Sequence, residues 1–134
     1  DYEAARERAR VEGKFLMVTF GANWCPDCRA LHRSLEEKST QRYVMKTFEV
    51  LNVDVGDFDR NIRLAADLGV DLDMGIPVAV FFDPHGQVIG NTNHGELEPA
   101  RSYTSRQILA FLREIAEQRR VQPLKATSGS QGTG

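Results

Sequence analysis

Hydrophobic residues fall in short runs along this chain, and the period of the runs changes several times. Residues 2–12, YEAARERARVE, are rich in Ala, Arg and Glu and predict a helix stopped by Gly13, the alternative being a charged, frayed lead-in. The stretch KFLMVTFGA follows, nearly continuously apolar over 15–20. Short and rich in β-formers, it predicts a central strand covered on both faces. The next pattern is helical. Cys25 falls at the N-cap, Pro26 at the first helical position and Asp27 in the acid-favouring first turn. Leu31 and Leu35 share a face, and the helix is expected to end near Glu37. After a polar stretch, TFEVLNVDV at 47–55 predicts a second strand, and 60–68 a helix ended by Gly69. VAVFF at 78–82 predicts a third strand. The turn signal Asp83-Pro84-His85-Gly86 joins it to a fourth starting at 87–90. Residues 91–103 form a long polar loop. Thr104 or Ser105 then caps a last helix with Ile108, Leu109, Leu112 and Ile115 on one face.

Strands joined through helices argue a parallel portion, and the hairpin adds an antiparallel edge. The expected fold class is α/β, a central mixed β-sheet flanked by helices on both faces. One domain is expected over 1–121, with a flexible tail at 122–134 that carries no packing signal.

Composition narrows the function classes. There are 17 basic and 19 acidic residues, a net charge of -2, so nothing points to nucleic acid or an anionic membrane as partner. No apolar run approaches the ~20 residues that span a bilayer, so no membrane insertion is expected. The absence of a starting Met suggests that something was removed ahead of Asp1.

The chemistry concentrates at Asn-Trp-Cys-Pro-Asp-Cys, residues 23–28. This stretch holds the chain's two cysteines beside its one tryptophan. Three readings compete: a redox pair, half of a zinc site, or a structural cystine. The cystine is the poorest, because so small a loop constrains the unfolded chain weakly. Zinc would take Cys25, Cys28 and His32, yet a fourth ligand has no source, since His85 and His94 lie far along the chain in turns. A CxxC between an apolar strand and a helix supports the redox pair. The thiolate is the nucleophile, so the first cysteine is expected to be ionised and exposed, and a helix N-terminus supplies N–H groups and partial positive charge for it. Cys28, three residues along, can reach back to resolve a mixed disulfide on Cys25. Pro26 stiffens the loop between them.

These segments resemble the thioredoxin family, in its bacterial thioredoxin-like branch. FGANWCPDCRAL at 20–31 is similar to that family's strand, tryptophan, CxxC and helix. VLNVDV at 50–55 resembles its next strand, and GIPVAVFFDPHGQVIG at 75–90 its cis-proline segment and hairpin. The resemblance covers roughly residues 10–118, and a WCxxC with an Ile-Pro about fifty residues later is a specific combination. It implies the thioredoxin fold, with Cys25 as attacking thiol and Cys28 as resolving thiol. It also implies that Pro77 is a cis-proline abutting the pair and that Ile76 offers its backbone to a substrate strand. Trp24 reads as a hydrophobic wall beside the sulfur rather than a core aromatic.

Two departures from the family pattern stand out. Where thioredoxins carry a buried Asp below the resolving cysteine, this chain has Thr19, which cannot act as a base. Before Cys28 stands Asp27, where strongly oxidising periplasmic relatives have His. A carboxylate that close disfavours the Cys25 thiolate and favours a reducing poise.

Blander readings hold for the other polar residues. His32 is expected exposed on its helix. Asp54, Asp57 and Asp59 lack the calcium-loop pattern and read as a solvated loop, as do Asp71 and Asp73. The loop at 91–103 is longer than most connections and is expected to shape partner choice.

The function expected is a thiol-disulfide oxidoreductase that reduces protein disulfides through Cys25 and Cys28. The redox-active cysteine pair serves in place of any metal or organic cofactor. Its partners are protein disulfide substrates and an electron donor that the sequence does not identify, and a monomer is expected. The alternatives are a peptide-binding or folding module of the same fold, and a disulfide oxidant or isomerase. The charged lead-in and the envelope resemblance favour a periplasmic or exported location over the cytoplasm.

Overall fold

The helices at the two ends of the chain start on side-chain caps. In the computed structural model, which describes residues 1–121, Asp1 caps α1 (Tyr2–Glu12), its carboxylate accepting the Ala4 N–H at 2.8 Å. Gly13 ends α1 in the left-handed region, at φ 68°. At the other end, Thr104 and Gln107 form a reciprocal capping box for α5 (Ser105–Gln118). The tail expected at 122–134 lies outside the described residues.

Between them runs a four-stranded sheet in the order β2-β1-β3-β4. Strand β1 (Phe15–Gly21) pairs in parallel with β2 (Phe48–Asp54) and antiparallel with β3 (Val78–Phe82), which pairs with β4 (Val88–Asn91). The two central strands are apolar nearly throughout because both their faces are covered. On one face Leu16, Val18 and Phe20 pack with Ala5 and Ala9 of α1 and with Ala65 of α4 (Ile62–Asp67). On the other, Phe15 and Met17 pack with Leu31 and Leu35 of α2 (Pro26–Glu36) and with Ile108, Phe111, Leu112 and Ile115 of α5. Leu109, expected on that buried face of α5, is only half-buried.

Two expectations need correction. The polar stretch after α2 is a helix, α3 (Lys38–Thr47), which breaks from α2 at Glu37 and buries only Thr40 and Val44. Its amphipathic pattern is masked by low overall hydropathy and so few fully buried residues. The long polar loop expected at 91–103 is in part buried. Thr92, Leu97 and Ala100 are buried, and Ala100–Ser102 forms a 3-10 turn. Among the described residues, no helix is long and apolar enough to cross a membrane.

Candidate active site

Strand β1 ends beside Ala22, and the chain turns at once into α2. Cys25 is the helix cap: its sulfur accepts the Cys28 backbone N–H at 3.2 Å. A sulfur held there feels the unpaired N–H groups and positive end of the helix. Pro26 occupies the first helical position, where its missing N–H costs nothing. Cys28, one turn in, presses its sulfur onto β1. An added Cβ on Gly21 would lie 2.8 Å from that Sγ, so only glycine leaves the room.

The cis-proline segment closes the other side. The Ile76–Pro77 peptide is cis, and both residues are buried. The Cys25 thiol points at the Ile76 carbonyl, 3.9 Å away. Trp24 is half exposed, at 51%, and is fixed by its Nε1–H donating to the Gly56 carbonyl at 2.8 Å. Phe58 sits edge-on to it, ring centroids 5.9 Å apart, on a backbone with φ 65°. Cys25, Cys28, Trp24, Pro26, Ile76 and Pro77 therefore converge on one face of the molecule.

The expected exposed nucleophile is corrected in one respect. Cys25 is only 5% exposed, and Cys28 2%, because Ala22, Val55, Val70 and Ile76 pack around the pair. Burial pushes the Cys28 thiol up to about 12, and its hydrogen bond with Cys25 acts in the same direction. The Ala22 backbone opposes this, while the charges of Cys25 and Asp27 add to it. Both cysteines are free thiols in this structure.

Asp27 is not the bare carboxylate that its position suggested. Its Oδ1 accepts the Arg101 backbone N–H at 2.9 Å and lies 3.2 Å from the Arg101 Nε. Arg101 offsets part of the negative charge that Asp27 places beside the thiols. The 91–103 loop is pinned to the opposite side of the site as well. The Asn93 side chain accepts from the Asp71 N–H and donates to the Gly69 carbonyl. The Glu98 carboxylate fills the space beside Gly75, within 2.8 Å of where a Cβ would stand, next to Ile76. Arg101, Glu98, Phe58 and Gly21 were not singled out from the sequence. Only Phe58, an aromatic between two aspartates, carries a visible signal; the others gain their place through contacts across the fold.

The remaining candidates fall as follows. Thr19 is buried below α2, its hydroxyl donating to Asn52 Oδ1 at 2.6 Å. His32 is exposed on α2. In the 54–61 loop, Asp54 accepts the Gly56 N–H and Asp59 accepts the Asp57 N–H, so these carboxylates hold the turn that presents Phe58. Asp71 and Asp73 are exposed. Among the described residues, no group of three or more His, Cys, Asp or Glu is placed to hold a metal ion.

Comparison with known proteins bears on the same face of the molecule. A thioredoxin-like family model matches residues 1–84. The crystal structure of a disulphide isomerase from Xylella fastidiosa Temecula1 is 38% identical and superposes with a TM-score of 0.81, covering 85% of this chain and 87% of that one. A thioredoxin from Thermus thermophilus is 26% identical with a TM-score of 0.54, over 75% of this chain and 81% of that one. Nucleoredoxin from Xenopus laevis is 30% identical over 119 residues, which is 72% of this chain and 28% of its own length. This chain therefore spans little more than a quarter of that nucleoredoxin. A four-stranded mixed sheet between helices, a CxxC at the start of α2 and a family match over residues 1–84 lead to one conclusion: the chain has the thioredoxin fold and belongs to the thioredoxin-like family.

Proposed function

We propose that this protein is a thiol-disulfide oxidoreductase that reduces protein disulfides. One observation carries the reading: the two thiols are unequal. Both are buried, but Cys25 caps a helix and faces the Ile76 backbone beside an exposed indole, whereas Cys28 lies a turn further in against Gly21 and holds its proton up to about 12. Unequal thiols suit sequential roles. Cys25 attacks the substrate disulfide, and a mixed disulfide forms as one substrate sulfur leaves. Cys28 then attacks Cys25 and releases the second substrate thiol. The substrate strand lies against Ile76 and Pro77, with Trp24 as the wall. The pair ends oxidised and is reduced again by a separate donor.

The reducing direction rests on thiolate stability. A strong oxidant is one whose reduced form is stabilised as thiolate. Here the Asp27 charge, only partly offset by Arg101, acts against that form. A second reading, isomerase, is favoured by the 38%-identical structure described as a disulphide isomerase.

Two measurements test the reading. Cys25→Ser removes all exchange with a protein disulfide, and Cys28→Ser traps the substrate on Cys25; retained function in Cys25→Ser would mean a peptide-holding module instead. Redox titration against glutathione gives a potential at or below about -230 mV for a reductase. A value of about -120 to -180 mV transfers the protein to the oxidant or isomerase reading.

A further inference from the structure

The buried Cys28 thiol poses a chemical problem: before it can attack, its proton must go somewhere. The problem exists only under the dithiol-exchange reading above, on which this inference rests. Between β1, β2 and α2 lies a cavity of about 90 Å³, lined among others by Thr19, Gly21, Ala22, Asn52 and His32. Cys28 lies directly behind this lining. Its sulfur packs on Gly21 and takes a hydrogen bond from the Ala22 backbone, and both residues line the cavity. His32 comes four residues after Cys28, so the two are neighbours on one face of α2. Across the sheet, Thr19 is in register with Asn52, and its hydroxyl bonds the Asn52 carbonyl oxygen at 2.6 Å. The lining is more apolar than polar, but the space has room for a water, and Thr19, Asn52, His32 and Asp54 offer it polar partners.

The other ionisable groups nearby are committed or turned away. Asp54, also on the cavity, accepts the Gly56 N–H and pairs with Arg60. On its outer side His32 borders a groove of about 390 Å³ with Lys14, Glu36 and Glu49. Lys14 is held by Glu12 and the Met45 carbonyl, and Glu49 by Arg8. Glu36 is exposed one turn further along α2. Cys25 and Asp27 face Cys28 from the far side, and Asp27 holds Arg101. Among the described residues His32 has no hydrogen bond or ion pair, so its imidazole is at liberty to exchange protons.

We propose that this cavity is the proton exit of Cys28: water within it links the thiol to the His32 imidazole, and the Thr19–Asn52 pair orients that water. His32 acts through water and is a positioning and relay residue. The step balances. The Cys28 S–H bond breaks, and the proton passes through water to a ring nitrogen of His32. The sulfur electron pair forms the S–S bond to Cys25 as the mixed disulfide bond breaks. The substrate sulfur leaves as a thiolate and takes a proton from solvent. The substrate has gained two electrons and the cysteine pair has lost two. The imidazolium returns its proton to solvent from the exposed side of α2.

The test is stopped-flow reaction of the reduced protein with dithiobis-nitrobenzoate, an aromatic disulfide whose released thiolate is coloured. The first, bimolecular release reports attack by Cys25; the second, unimolecular release reports Cys28. An imidazole takes up a proton only in its neutral form, so the second rate of the native protein should rise with pH. His32→Gln should lower that rate at neutral pH by at least about tenfold, a modest share of what general-base catalysis supplies, and flatten its pH profile. The first rate should not change. Added imidazole should restore the second rate in His32→Ala, and Glu36→Gln should behave as the native protein. A second step in His32→Gln with native rate and pH profile would overturn the proposal. If the native protein shows no first release, or Cys25→Ser still shows one, the exchange reading fails instead, so the two failures are distinguishable.

Discussion

At the scale of single residues, the buried Cys28 thiol ties redox state to alkaline stability. The folded chain holds this proton up to about 12, while the group's ordinary value is 9.0. Its pKa is raised on folding, so its contribution is fully present below about 9 and is lost as the pH climbs from there towards about 12. One proton of difference gives a slope of up to about 1.4 kcal/mol per pH unit. Cys28→Ser removes the group. Urea unfolding of the reduced native protein and of this variant through that window should show the native curve falling faster; parallel curves would sink the idea. Cys25 and Cys28 were legible in the sequence because their chemistry is intrinsic and their spacing local. Their burial was not, because Val55, Val70 and Ile76 reach them from distant parts of the chain.

At the scale of elements, the contact that matters is between α2 and the 3-10 turn at Ala100–Ser102. Asp27 joins them through the Arg101 backbone and guanidinium. The Arg101 side chain is mostly exposed, so screening keeps the ion pair weak. Arg101→Ala leaves the Asp27 charge unbalanced beside the thiols and should lower the reduction potential by roughly 10–20 mV, the equivalent of under about 1 kcal/mol. Asp27→Asn should raise it by a similar amount, and added salt should shrink both shifts. Glutathione titration of the two variants checks this; shifts of the same sign would contradict it. Elements with strong local signals were readable: α1 with its glycine stop, β1 and β3 as apolar runs, and α5 with its cap. Helix α3 was missed because its burial rests on Thr40 and Val44, and Thr40 is buried only through its meeting with α5 near Ser105.

At the scale of the whole molecule, the 91–103 segment links the cis-proline side of the site to the core behind α2. Leu97 and Ala100 anchor it among Phe81, Ile108 and Leu112. Leu97→Ala leaves a cavity there and should cost about 2–5 kcal/mol, read as a lower urea midpoint. An unchanged midpoint would show that the segment lies on the surface after all. While the resemblance to the thioredoxin family supplied the Ile-Pro that faces the cysteines, the sequence by itself determined the order of strands and helices except α3, the mixed sheet and the cysteine pair at a helix start. Those follow from local periodicity, capping and turn chemistry, which neighbouring residues settle among themselves. Only the tertiary structure decided that Asp27 meets Arg101, that Gly21 makes room for the Cys28 sulfur, that Glu98 fills the space beside Gly75, and that Thr19, Asn52 and His32 share one cavity. Each of these joins residues from separate elements, and such meetings depend on how the packed elements cross, which no local pattern encodes.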